Sequence, residues 1–265
     1  MSESWRQPRR LLMVALGALT VFYLLAPTLV IVPMSFTQAS ILSFPPEGFS
    51  TRWYELMLTK PAWSTAIRNS AAVAILTAVL ATGLGTLAAL AMTRGRFPGR
   101  ALLNGLILSP LIVPVVIIAI GMFSLFVQWR ISGSIVGLVV AHTALALPFV
   151  IVNVATSLRT IDRNLELAAA NLGATPTRTF QRITLPLILP GVFAGAIFAF
   201  ITSWDEVVVA IFLTSARFRT LPVEMWEQVR QVVDPTVAAV ATTLLVVTTA
   251  LLLLLLVVRR QAPVR

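Results

Sequence analysis

Six stretches of this chain stay apolar for about 20 residues or more, the length an α-helix needs to cross the roughly 30 Å hydrocarbon core of a bilayer. They run from Leu11 to Val32, Ala71 to Met92, Ala101 to Val127, Ile135 to Ser157, Leu187 to Leu213 and Val237 to Val258. Each is too long and too uniformly apolar for a barrel strand, and backbone polar groups in lipid must pair within the segment that carries them. The pattern predicts an all-α integral membrane protein, a single domain over residues 1–265 with six transmembrane helices. Composition agrees: 58% of the residues are hydrophobic and only 11% are charged, well below the quarter usual for soluble domains.

The first stretch follows Arg6, Arg9 and Arg10, as the core of a signal peptide would, but its run of about 22 apolar residues exceeds the 7 to 15 of such a core. It is read as a retained anchor. The net charge of +10 invites a nucleic-acid reading, and its distribution argues against one. With the N-terminus in the cytoplasm, the inner segments hold Arg6, Arg9, Arg10, Arg94, Arg96, Arg100, Arg159, Arg163, Arg178, Arg182, Arg259, Arg260 and Arg265. The outer ones hold only Arg52, Lys60, Arg68, Arg130, Arg217, Arg219 and Arg230. An excess of basic residues marks the cytoplasmic side, so both termini are expected there, and no nucleic acid is expected as a partner.

Cysteine is absent, which removes disulfides and thiolate metal sites from this chain. Its one histidine, His142, stands far in sequence from other metal-type ligands and is read as a helix-packing hydrogen-bond donor, with a polar pathway lining as the alternative, and Asn69 and Asn153 are read in the same way. No nucleophile, base and orienting residue fall together, so no enzyme activity is expected.

Between the first two stretches, Pro45-Pro-Glu-Gly48 marks a turn, and Phe49, Trp53, Leu56 and Met57 follow at helical spacing. Trp53, Tyr54 and Trp63 suit the headgroup layer; an anchor and a contact for an external partner both remain open. In the second stretch, Gly83 and Gly85 are expected to let neighbouring helices approach. Pro27, Pro110, Pro114 and Pro148 are expected to kink the first, third and fourth.

The inner loop, residues 158–185, carries helix signals of its own. Asp162 can cap a helix through Leu165, Ala168, Ala169 and Leu172, and Gly173 supplies its left-handed terminator. Thr175-Pro176 then opens a second short helix bearing Phe180 and Ile183. A small apolar knob flanked by arginines has no use in lipid; it either docks a soluble partner or lies passively on the membrane.

The run Asp162-Arg-Asn-Leu-Glu-Leu-Ala-Ala-Ala-Asn-Leu-Gly-Ala-Thr-Pro176, continuing through Phe180 and Ile183 to Leu185-Pro-Leu-Ile-Leu-Pro-Gly191, resembles the Glu-Ala-Ala loop of binding-protein-dependent ABC importer permeases. The resemblance extends through Gly48-Phe-Ser-Thr-Arg-Trp-Tyr54, Asn69-Ser70, Arg94-Gly-Arg-Phe97 and Thr220-Leu-Pro222, and is nearest the spermidine/putrescine branch. It implies a type I permease fold in the bacterial inner membrane, with Asp162, Glu166, Ala168, Ala169, Gly173, Ala174 and Phe180 coupling the chain to an ATP-binding subunit dimer. It also implies a second, related permease subunit, as a heterodimer, and an external solute-binding protein. The chain lacks a phosphate-binding Gly-rich Lys-Ser/Thr loop, so no cofactor is expected on it, and ATP and Mg are expected on the partner ATPase. One departure stands out: the family glutamate directly precedes the Ala-Ala pair, where this chain has Leu167, and its acidic residue is Glu166.

Within the fifth stretch lies Ser203-Trp-Asp-Glu-Val207, at a position where the polyamine branch also carries an acidic pair. A carboxylate at mid-membrane costs about 2.5 to 3.5 kcal/mol, so Asp205 and Glu206 call for a reason. Counted along a continuous helix, they fall past its midpoint and about 100° apart, one facing the pathway and the other a neighbouring helix. With no cationic side chain in another span to neutralise them, apart from Arg68 at an outer end, two readings stand. A cationic solute passes them, with Ser203 and Trp204 beside it and cation-π attraction from Trp204, or hydroxyls and water satisfy a structural pair. The expected solute is a small cation, a polyamine first, with opines and amino acids as alternatives. The rivals are an ion-coupled secondary transporter and an inert membrane scaffold.

Overall fold

Long runs of Leu, Val and Ala, with no water to satisfy their backbone, fold as helices. The structure, a computed structural model, describes residues 6–231 and 234–261; Arg265, one of the residues behind the expected orientation, lies outside them. Helix α1 (Arg6–Met34) is followed by α2 (Arg52–Thr59), α3 (Pro61–Arg94), α4 (Arg100–Leu108), α5 (Val115–Gln128) and α6 (Ile135–Thr160). Then come α7 (Arg163–Asn171), α8 (Pro176–Thr179), α9 (Leu185–Trp204), α10 (Val208–Leu213), α11 (Leu221–Gln231) and α12 (Pro235–Gln261).

Five of these helices are long and apolar enough to cross a membrane, and α4 with α5 makes a sixth span if taken together. The third stretch is therefore not the continuous, merely kinked helix expected. It breaks by 104° between α4 and α5. Pro110 sits in a 3₁₀ turn, Ser109–Leu111, and Pro114 caps α5. Each proline lacks an N–H and steers the residue before it away from the helical region, and two of them four residues apart leave no room for a continuous ladder.

The fifth stretch differs at both ends. At its start, α8 passes through a π turn, Phe180–Thr184, directly into α9. The short second helix of the inner loop is thus the beginning of a 29-residue span, Pro176–Trp204. At its end, α9 stops at Trp204, and α10 begins only at Val208.

The chain divides into two compact units, one drawn from Met1–Lys60 and Glu227–Leu245, the other from Pro61–Trp226 and Val246–Arg265. In the first, the segment after α1 folds back onto α2. Phe36 stacks on Phe49 at 5.3 Å and tilts against Tyr54 at 5.0 Å. The Trp53 indole N–H donates to the Thr37 carbonyl at 2.8 Å, and the Tyr54 and Ser35 hydroxyls meet at 2.7 Å. Trp53 is buried, so it packs the fold instead of anchoring it in headgroups; in the second unit Trp63 is buried too.

The second unit is built on three mutually packed helices, α3, α6 and α9. Ala81 and Ala89 of α3, Ala146, Val150, Ile151, Val154 and Leu158 of α6, and Ile188 and Ala199 of α9 form one buried cluster. Val150 fixes the approach: a Cβ added at Gly85 of α3 would stand 2.6 Å from its side chain, and one at Gly195 of α9 would stand 3.1 Å from its Cα. Small residues let these backbones close, as packing in lipid requires. Gly83, expected to do the same, has open space where a Cβ would go. Towards the other end of these helices, Ala119 and Phe126 of α5 pack with Val209, Ala210 and Leu213 of α10 against Leu138, Ala141 and Leu145 of α6.

Candidate functional site

The break between α9 and α10 shapes the first site. Asp205 is the C-cap of α9, its N–H bonded to the Ile201 carbonyl at 3.0 Å. Glu206 turns the other way and caps α10: its carboxylate oxygens accept the N–H groups of Val209 and Ala210, each at 2.9 Å. A short helix inside a membrane would otherwise leave these donors orphaned, and a carboxylate at a helix N-terminus is favoured by charge as well as by hydrogen bonding. The two neighbours therefore do not lie on one continuous helix, as a straight fifth span would place them.

Around Glu206 the three core helices meet through polar side chains. His142 of α6 sets Nδ1 2.8 Å from the Ser203 hydroxyl of α9 and Nε2 3.6 Å from Glu206 Oε2. Ser203 in turn donates to the Thr77 hydroxyl of α3 at 3.5 Å. Thr77, His142 and Ser203 are all buried. This cluster is an internal tie between helices. His142 is the packing hydrogen-bond former that its sequence context suggested, but its nearness to Glu206, 64 residues away in sequence, left no sign in the local pattern.

Of the four residues expected along a pathway, the structure opens one. Ser203 and Trp204 are buried, and the Trp204 ring stacks on Phe200 at 5.8 Å, so its face is not offered to a passing cation. Glu206 is directed into the bundle. Asp205 alone of the four is exposed, and among the described residues its carboxylate accepts only the Thr248 hydroxyl of α12, at 3.3 Å from each oxygen. Arg68 does not neutralise the pair; its guanidinium donates to the Ser64 carbonyl in its own helix at 3.2 Å.

The second site is the inner loop, and its turns form as their residues dictate. The Asp162 carboxylate accepts the Asn164 N–H at 2.9 Å, capping α7. At the other end, Ala174 N–H reaches the Ala169 carbonyl at 3.0 Å and Gly173 N–H that of Ala170 at 2.9 Å. These paired bonds close the helix around a left-handed Gly173 with φ of 80°, a conformation that glycine adopts without strain. The Thr175 hydroxyl then caps α8 by accepting the Arg178 N–H at 3.3 Å.

The faces of α7 separate cleanly. Leu165, Ala168 and Leu172, at helical spacing, are exposed, with Leu172 at 90% of its surface, and Leu167 is exposed on another side of the helix. Ala169 is buried, Phe180 is half-buried against the α3–α6–α9 cluster, and Ala174 is half-buried in the turn. Glu166 belongs to the inward face: Arg94 Nε lies 3.3 Å from its carboxylate, and the Thr184 hydroxyl donates to it at 3.0 Å. Of the residues expected to touch an ATPase, Asp162, Ala168 and Gly173 are open to one, and Glu166 is engaged within the chain.

The model of the family of binding-protein-dependent transport system inner membrane components matches residues 81–263. The putrescine transport system permease protein PotI of Escherichia coli (strain K12) is 35% identical over 243 residues, covering 89% of this chain and 85% of that one. The spermidine/putrescine transport system permease protein PotC of the same strain is 33% identical over 219 residues, 83% of each chain. The trehalose transport system permease protein SugB of Mycobacterium tuberculosis is 31% identical over 205 residues, 76% of this chain and 75% of that one. In fold, the chain is similar to a chain in the crystal structure of a bacterial ABC transporter involved in the import of the acidic polysaccharide alginate, with a TM-score of 0.73, 17% identity and 99% of both chains covered. The chain therefore belongs to the binding-protein-dependent transport system inner membrane components, and is a multi-pass inner-membrane permease subunit of a type I ABC importer.

Proposed function

We propose that this permease forms part of the translocation pathway for a small cationic solute, a polyamine such as putrescine or spermidine, delivered by an external binding protein. Permeases named for putrescine, spermidine and trehalose are all related to it, so kinship alone does not select the amine. The observation that carries the amine is Asp205, an exposed carboxylate at a helix break within a largely apolar span, its only hydrogen-bond partner among the described residues a threonine hydroxyl. An ammonium group in transit supplies the countercharge that such a carboxylate lacks, since an ion pair offsets desolvation that each ion alone would not bear.

Both termini lie in the cytoplasm in this reading, which puts α7 and its exposed leucines where a soluble ATPase can grip them. ATP and Mg are bound on that separate subunit dimer, and a second, related permease completes the pathway. Purification of the tagged chain from its native membrane tests the assembly: an ATPase, a second permease and a binding protein are expected with it. Uptake of radiolabelled putrescine by the reconstituted complex should require ATP and the binding protein. A chain that moved solute alone, or residues 162–183 labelled from the external side, would sink the proposal.

A further inference from the structure

Arg94 is the last residue of α3, Thr184 joins the π turn to α9, and Leu158 lies near the end of α6. Arg94 and Thr184 meet on one side chain of the inner loop, and Leu158 holds Arg94 from behind. Glu166 of α7 pairs with Arg94 at 3.3 Å and accepts the Thr184 hydroxyl at 3.0 Å, while Arg94 also donates to the Leu158 carbonyl at 3.4 Å. The ion pair is shielded, with 24% of the Arg94 side chain and 20% of that of Glu166 exposed, and Thr184 is buried. A single carboxylate thus ties α7 directly to the ends of α3 and α9, and through Arg94 to the end of α6.

We infer that Glu166 is a positioning residue that transmits movement of α7 to α3, α6 and α9, and is not a docking contact for the ATPase. The inference rests on the importer reading above. Coupling between distant sites travels through hydrogen-bonded and packed groups that move as a unit. Here the outer face of α7 carries the exposed Leu165, Ala168 and Leu172, and the inner face carries Glu166. A push on the first reaches the bundle through the second; without it, α7 keeps the chain connections at its two ends and the packing of Ala169. An ion pair together with a hydroxyl donor holds the carboxylate at two points.

The test uses the complete complex, with ATPase, second permease and binding protein, in liposomes supplied with ATP and putrescine. Glu166→Gln, Thr184→Val, and the exchange of Arg94→Glu with Glu166→Arg are compared with the unaltered chain. Two quantities are read: the ATPase retained on purification, and ATP hydrolysed per putrescine moved. Glu166→Gln should retain the ATPase and raise ATP consumed per putrescine by about fivefold or more, the lower end of ordinary coupling between sites. Thr184→Val should raise it less, and the exchanged pair should bring it back towards the unaltered value. An unchanged ratio in Glu166→Gln, or loss of the ATPase from that complex, would overturn the inference and, in the second case, return Glu166 to the docking face. Failure of the importer reading would show separately, as an unaltered complex that moves no putrescine.

Discussion

His142 of α6 and Glu206 at the α9–α10 break stand 3.6 Å apart, imidazole Nε2 to carboxylate, in the buried middle of the three-helix core. The other ring nitrogen meets Ser203 at 2.8 Å. One side chain thus joins two helices and the residue that holds a third, short helix in place.

Removing that side chain strands its partners. His142→Ala leaves the Ser203 hydroxyl without its ring partner and removes the imidazole 3.6 Å from the Glu206 carboxylate, and opens a cavity where a fully buried ring stood. The expected loss is about 2 to 4 kcal/mol of stability. Thermal unfolding of the purified chain in detergent should show a lowered midpoint, and an unaltered midpoint would mean that the cluster is not a structural tie.

The two acidic residues should separate by experiment. Asp205→Asn removes an exposed charge with little to hold in the fold, so the melting temperature should stay while uptake falls. Loss of one charged contact to an amine corresponds to about a tenfold or greater rise in the putrescine concentration needed for half-maximal uptake. Glu206→Gln instead weakens the cap on α10 and should lower stability by about 1 to 2 kcal/mol. Concentration-dependent uptake in proteoliposomes, read beside unfolding curves, distinguishes the two. Equal effects on uptake and melting from both substitutions would contradict the division of roles.

Local chemistry left the clearest marks in the sequence. Asp162, Gly173 and Thr175-Pro176 announced the caps and turns of the inner loop because each feature is decided by neighbours within a few residues, and the structure forms them as read. The apolar lengths likewise gave the spans. What failed was continuity. Pro110 and Pro114 together break the third span instead of kinking it, and at the fifth, where α9 stops at Trp204, Glu206 caps the next helix's amides, a local event that hydropathy does not record. The pairing of His142 with Glu206 and of Glu166 with Arg94 joins residues 64 and 72 positions apart, and no periodicity points to either. Trp53 was misplaced for the same reason: an indole that suits a headgroup layer suits equally the Thr37 carbonyl that it found inside the fold.

The exposed face of α7 offers a test of docking without a change in fold. Leu172 leaves 90% of its surface in solvent, so Leu172→Glu removes almost no packing and should leave the unfolding midpoint within the range of ordinary surface substitutions, about 0.5 kcal/mol. An apolar anchor lost from an interface costs more than 1 kcal/mol when it lies at the centre of the contact. The purified ATPase should therefore bind the variant complex about tenfold more weakly, measurable by co-purification at graded ATPase concentration. Full retention would place the ATPase grip elsewhere on the loop.

Gly83 and Gly85, two residues apart on α3, should respond in opposite ways to the same substitution. At Gly85 an added Cβ meets the Val150 side chain at 2.6 Å, closer than carbon atoms tolerate, and Val150 has no freedom to retreat because Gly195 closes on its other side. Gly85→Ala should cost about 1 to 3 kcal/mol by overpacking. At Gly83 the same Cβ enters open space, and replacing glycine within a helix by alanine stabilises by about 0.4 to 1 kcal/mol through the unfolded chain. Unfolding midpoints of the two variants should fall on either side of the unaltered protein. The Gly85→Ala effect should also shrink when Val150→Ala is introduced with it, since the smaller side chain restores room; a purely additive pair would deny the contact between α3 and α6 at this level.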